Sequence, residues 1–144
     1  MQLPCTEAGS RLKIPMMPKP LILVVDDDPP ILMLMRSLLR EFGFEPVTST
    51  GGAEAVAAAR DCRPSLVLLD KNMPGMDAPD IVRAIRSETG LGRVPVLIVS
   101  GEPVEPAELE SIGADGAVQK PFDISALIEQ IRIFVEDGNG SGAG

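Results

Sequence analysis

Apolar residues in this chain fall into two kinds of run, short unbroken ones and longer ones with helical spacing, and the two kinds alternate. Leu21-Ile22-Leu23-Val24-Val25 leads straight into three carboxylates, Asp26, Asp27 and Asp28. A short apolar run closed by a turn signal reads as a strand buried on both faces. Asp28-Pro29-Pro30 then opens a helix, with Asp28 as its cap and proline tolerated in the first turn. Ile31, Met35, Leu38, Leu39 and Phe42 keep helical spacing until Gly43 stops it. Pro46 to Ser49 is a short, weakly signalled strand, and Gly51-Gly52 leads into an alanine-rich helix from Ala53 to Arg60, with Val56 and Ala59 facing inward.

The alternation continues. Ser65-Leu66-Val67-Leu68-Leu69 is a second buried-strand run, ending in Asp70, and Lys71 to Met76 follows as a loop. Asp77 caps a helix carrying Ile81, Val82 and Ile85 on one face. Val94 to Val99 forms a third apolar run, ending at Ser100-Gly101. A short helix from Glu105 to Ile112 is weakened by Pro103 and Pro106. Ala114 to Gln119 gives the last strand, before Lys120-Pro121. The final helix carries the stripe Ile124, Leu127, Ile128, Ile131, Phe134 and Val135. Five strand–helix units predict an α/β fold, a doubly wound parallel sheet with helices on both faces. Residues 1–19, broken by Pro4, Pro15 and Pro18, read as a flexible extension. Residues 138–144 read as a flexible Gly-rich tail, which leaves 20–137 as one domain with no internal repeat.

Composition narrows the chemistry. The 144 residues are 44% hydrophobic and 24% charged, within the range of an ordinary globular domain. No apolar run approaches the roughly 20 residues of a membrane helix, and no signal-peptide core is present, so a cytoplasmic location without membrane contact is expected. A net charge of −8 with no Trp or Tyr argues against direct nucleic-acid binding. The absence of His excludes Ser-His catalysis, His-ligated zinc and a phosphohistidine on this chain. Cys5 and Cys62 have no framework or metal spacing and read as plain thiols. Chemistry by carboxylate, lysine and hydroxyl remains.

Those groups sit at strand ends. The first strand delivers Asp26 and Asp27, the third Asp70, the fourth Ser100 and the fifth Lys120. In a parallel sheet these ends share one edge, where open α/β sheets place their sites. Clustered carboxylates suit a hard cation such as Mg²⁺, while lysine and a small hydroxyl suit phosphoryl oxygens. Asp70, facing a loop from a central strand, is the candidate nucleophile. Singly, each residue has a plainer reading: Asp26 or Asp27 as a turn acid, Ser100 as turn chemistry, Lys120 as a solvated lysine. Their joint placement is what points to function.

Val25-Asp26-Asp27-Asp28-Pro29, Leu69-Asp70-Lys71-Asn72-Met73-Pro74-Gly75-Met76-Asp77, Val99-Ser100-Gly101-Glu102 and Gly113-Ala114-Asp115 through Lys120-Pro121-Phe122 resemble the receiver domain of two-component response regulators over residues 20–136. The resemblance implies a flavodoxin-like five-stranded sheet in the order 2-1-3-4-5 with five helices, and a cis Lys120-Pro121 bond. It implies Asp70 as phosphoacceptor, with Asp26, Asp27, Asp70 and the backbone carbonyl of Asn72 around Mg²⁺, or Mn²⁺ in its place. It implies Ser100 and Lys120 as the phosphoryl-binding switch pair, and Asn72 and Glu102 as flanks of the hydrolytic water that tune its rate. The implied function is a phosphorelay switch rather than an enzyme. Its implied phosphodonor is a histidine kinase or a histidine phosphotransfer protein. An unidentified protein would be the output target, and the face of the fourth and fifth strands is a candidate homodimer surface.

The departures bear on output. Ala117 stands where the family usually has Tyr or Phe, and the segment from Ser100 to Lys120 is about a turn short, with prolines where the fourth helix begins. Two alternatives follow. One is a receiver fold used as a phosphorylation-insensitive docking scaffold. The other is an aspartyl-phosphate phosphatase, since Asp26-x-Asp28 resembles the Asp-x-Asp of haloacid-dehalogenase-type enzymes, although Pro29-Pro30 replaces their usual Gly-Thr and the Asp70 motif is left unexplained.

Overall fold

The computed structural model of the protein describes residues 19–143, with side chains described as far as Glu136. The alternation expected from the sequence is realised as β1 (Leu21–Val25), α1 (Pro29–Glu41), β2 (Glu45–Ser49), α2 (Gly52–Cys62), β3 (Leu66–Asp70), α3 (Ala78–Arg86), β4 (Val96–Ser100), α4 (Pro106–Ile112), β5 (Gly116–Gln119) and α5 (Ile124–Ala143). All pairings are parallel and the strand order is β2-β1-β3-β4-β5, the flavodoxin-like arrangement. The Lys120-Pro121 bond is cis.

Side-chain alternation along the strands divides the core into two layers. Leu23, Val25, Val67, Leu69 and Ile98 pack with Ala55 and Ala59 of α2, Ile81, Val82 and Ile85 of α3, and Ile112 of α4. Ile22, Val24, Leu66, Leu68, Leu97 and Val99 pack on the other face with Leu32, Met35 and Leu39 of α1 and Leu127, Ile128, Ile131 and Val135 of α5. The three central strands are thus buried on both faces, which is why they read as unbroken apolar runs. At the edge opposite the strand ends, Arg86 ties three elements together. Its guanidinium donates to the Gly113 carbonyl, to the Val94 carbonyl at 3.1 Å and to Asp115 at 2.7 Å. Asp115 also accepts the Val96 N–H at 2.8 Å.

Several local expectations need correction. Asp28 and Asp77 occupy the cap positions of α1 and α3, but neither side chain makes a capping bond. In both helices proline is the second helical residue (Pro30, Pro79), so a principal donor for a cap oxygen is missing. Ile124 opens α5 beside exposed Asp123 and is itself exposed, so the buried stripe starts at Leu127. Cys62 is disulfide-bonded rather than a plain thiol, and Cys5 lies outside the described residues. The helical backbone of α5 runs to Ala143 through the segment expected as a tail, although its glycines each cost about 1 kcal/mol against alanine in a helix. The extension expected over 1–19 lies, up to residue 18, outside the described residues. Among the described residues, no helix is long and apolar enough to cross a membrane.

Candidate functional site

In the order β2-β1-β3-β4-β5 the chain reverses direction of winding between β1 and β3, and the carboxyl ends of those two strands carry the acids. Asp26 follows β1 directly, its backbone N–H held by the Ser49 carbonyl at 3.1 Å. Asp70 is the last residue of β3, and the next N–H, that of Lys71, is held by the Val99 carbonyl at 2.9 Å. The register that pairs Val25 with Leu69 brings these two ends level. Asp26, Asp27 and Asp70 each offer a carboxylate oxygen within 4.8 Å of the others. Asp26 and Asp70 are buried and Asp27 is exposed, so the group opens to solvent on one side.

Lys120 arrives from the end of β5, its N–H bonded to the Ser100 carbonyl at 2.7 Å. Its Nζ lies 3.5 Å from Asp26 Oδ2 and 4.0 Å from Asp70 Oδ1. Ser100, at the end of β4, is buried, and its Oγ accepts the Glu102 N–H at 3.0 Å. Asn72 is exposed and meets Asp70 through its backbone N–H, at a long 3.5 Å from Oδ1. Glu102 is exposed at the loop after β4. Asp26, Asp27, Asp70 and Lys120 therefore form one cluster. Ser100 sits on the neighbouring strand end, with its hydroxyl engaged by the following loop, while Asn72 and Glu102 border the cluster through backbone bonds. Ala117 is half-buried on β5 and packs against the layer that holds Ile98. A shallow hollow of ≈ 230 Å³ lies there, beside Ala117, Val118 and Phe122, away from the acids.

The electrostatics follow from this geometry. Burial, then the neighbouring Asp26 carboxylate, pushes the Asp70 carboxyl above its ordinary range, with Lys120 acting in the opposite direction. Three carboxylates against one ammonium leave two uncompensated negative charges, a hard-oxygen donor set that fits one divalent cation. Lys71, directly after Asp70, turns away from the acids. Its Nζ meets Glu108 Oε2 of α4 at 2.6 Å, and that hydrogen bond holds the ammonium above its ordinary pKa. Pattern reading missed this contact, since Lys71 and Glu108 are far apart in sequence and each looks like a surface charge.

A five-stranded parallel sheet with an acid cluster at its switch point and a lysine reaching in from the last strand defines a CheY-like signalling domain. The chain belongs to the response regulator receiver domain family, whose sequence model matches residues 22–132. That family is a two-component signalling domain rather than an enzyme class. The DNA-binding response regulator MtrA of Mycolicibacterium smegmatis is 37% identical over 113 residues, which is 77% of this chain and 48% of that protein. The chain thus spans about half the length of the curated relatives it matches. The chemotaxis protein CheY4 of Vibrio cholerae superposes with a TM-score of 0.76 at 29% identity, covering 81% of this chain and 99% of that one. The receiver domain of the sensor histidine kinase PA1611 of Pseudomonas aeruginosa PAO1, solved with a magnesium ion in its active-site cleft, shares the fold with a TM-score of 0.74. It is 24% identical and covers 83% of this chain and 99% of that one.

Proposed function

We propose that residues 20–137 act as a phosphorylation switch in which Asp70 accepts a phosphoryl group from a phosphohistidine on a partner kinase or phosphotransfer protein. The observation that carries this reading is the convergence of Asp26, Asp27, Asp70 and Lys120 from three strand ends. Asp26, Asp27, Asp70 and the Asn72 carbonyl would hold Mg²⁺, or Mn²⁺ in its place. The magnesium ion in the cleft of the PA1611 receiver domain supports this assignment. When bound, the cation supplies charge neutralisation around the transferring group. An Asp70 carboxylate oxygen attacks phosphorus. An O–P bond forms as the P–N bond breaks, and the leaving imidazole takes up a proton from solvent. Lys120 stays beside the acceptor and offsets the charge that accumulates there, so the protein's contribution is positioning and electrostatics. Ser100 turns from accepting the Glu102 N–H to donate its hydroxyl proton to a phosphoryl oxygen, and this biases the loop and α4 that follow. Asn72 and Glu102 flank the water that later hydrolyses the acyl phosphate.

The switch would work in the cytoplasm, without contacting nucleic acid itself, and would pass its state to a protein target or to a second copy through the β4/β5 face. The phosphatase alternative is weakened by Asp28, which is exposed and stands outside the Asp26–Asp27–Asp70 group. Fluorine NMR of the protein with beryllofluoride tests the reading. Mg²⁺-dependent bound signals that vanish in Asp70→Asn are expected. Signals that persist in Asp70→Asn, or that never form, would overturn it.

A further inference from the structure

The ion pair between Lys71 and Glu108 lies outside the phosphoryl pocket and is not used by the chemistry above, yet it joins the residue after Asp70 to the helix on the output side. The fastening of α4 is uneven. At its C-terminal end Ile112 is buried, the Gly113 carbonyl is held by Arg86, and Asp115 accepts the Val96 N–H. At its N-terminal end Pro103, Glu105, Pro106 and Ala107 are exposed, and Val104 and Leu109 are only half-buried. Among the described residues, two polar contacts hold that end to the site: the Glu102 N–H on Ser100 Oγ at 3.0 Å, and Lys71 Nζ on Glu108 Oε2 at 2.6 Å. Lys71 is itself fixed, because its N–H is bonded to the Val99 carbonyl at 2.9 Å.

We infer that Lys71–Glu108 is a latch that keeps the N-terminal half of α4 in its resting position and opens when Asp70 is phosphorylated. This inference rests on the phosphoacceptor reading of Asp70. Phosphorylation turns the single charge of the Asp70 carboxylate into close to two on the acyl phosphate, a net gain of about one negative charge one residue from Lys71. The added charge draws the Lys71 ammonium away from Glu108, while Glu102 and Glu108 are both repelled from the site. Ser100 withdraws its hydroxyl from the Glu102 N–H in the same event, so both fastenings of this end weaken together. The Arg86 clasp is unaffected, and it confines the movement to the N-terminal half of α4. The latch gives this chain a path from site to surface that needs no aromatic side chain at Ala117.

The test uses the full chain with Mg²⁺, with and without beryllofluoride, and the variants Glu108→Gln, Lys71→Met and the swap Lys71→Glu/Glu108→Lys. Amide hydrogen exchange over residues 104–112 and beryllofluoride affinity are read together. In Glu108→Gln, exchange in this segment is expected to rise roughly two- to five-fold before any beryllofluoride is added, the range of a partly exposed ion pair. Affinity should rise by the same factor, because the binding-competent state is more populated. The swap should return both towards wild type, which separates lost pairing from general damage. Unchanged exchange and affinity in Glu108→Gln would overturn the latch, as would wild-type protein that binds beryllofluoride without loosening α4. Wild-type protein that takes up no beryllofluoride would overturn the phosphoacceptor reading itself.

Discussion

Replacing Lys120 by Met is expected to move stability and metal affinity in opposite directions. The side chain keeps its apolar stem and loses only the ammonium. In the metal-free protein that ammonium sits 3.5 Å from Asp26 and 4.0 Å from Asp70. At an effective dielectric of about 20 each attraction is about 4–5 kcal/mol. The Lys120 side chain is 30% exposed, and solvent screening with the cost of ordering it cuts the net loss to about 1–3 kcal/mol. A divalent cation held by the same acids is repelled by Lys120, so its removal should tighten Mg²⁺ binding by about ten-fold, or about 1.4 kcal/mol. Saturating Mg²⁺ then stabilises the variant more than the wild type by that amount. Urea denaturation in chelator and in Mg²⁺ gives the first quantity, and titration calorimetry the second. Equal metal-free stability together with equal or weaker Mg²⁺ binding would refute the assignment of Lys120 as the counter-charge of the acid cluster.

Asp70→Asn should stabilise the metal-free protein, because burial and Asp26 both disfavour the charged carboxyl there. The folded-state pKa is raised above the ordinary 3.8. The wild type therefore holds its full stability below that value and loses it as pH rises through the raised pKa. The melting-temperature advantage of Asp70→Asn should accordingly be absent in acid and present at neutral pH; an advantage that grows towards acid would contradict the assignment. Gly52→Ala should destabilise the fold by about 1–3 kcal/mol, since the added Cβ would lie 2.8 Å from the Met76 Cβ and 3.1 Å from the Ile81 Cδ1. Its denaturation midpoint is the check, and a stability at or above wild type would show that the loop after β3 yields freely. Arg86→Met should cost about 1–3 kcal/mol in denaturation, with faster amide exchange at Val96 and around Gly113. Unchanged protection there would show that the clasp contributes nothing.

The parts of the fold that could be read from the chain are those where burial is two-sided or chemistry is placed by topology. β1, β3 and β4 appear as plain apolar runs because helices cover both faces. β2 and β5 are edge strands: Glu45-Pro46 opens one and Gly116-Ala117 the other, so their apolar pattern is thin. The acids and Lys120 were legible because each ends a strand and parallel strand ends must converge. Ser100 was placed with them by the same convergence, whereas the roles expected of Asn72 and Glu102 came from family resemblance. Arg86 with Asp115, and Lys71 with Glu108, were not legible, since nothing local distinguishes a surface charge from one whose partner arrives by folding. The caps failed for a local reason that was present in the sequence, the prolines that follow Asp28 and Asp77 and remove one of the two donors a cap oxygen uses.

The central claim is that Asp70 is the residue that takes the phosphoryl group. Incubation with acetyl phosphate and Mg²⁺, reduction with borohydride and peptide mass spectrometry locate the acyl phosphate directly, because reduction converts a phosphorylated aspartate to homoserine. Homoserine at position 70, abolished by chelator and absent from every other acid, is the predicted result. Reduction at Asp26 or Asp27 instead, or no homoserine under conditions where Mg²⁺ binds, would contradict the account.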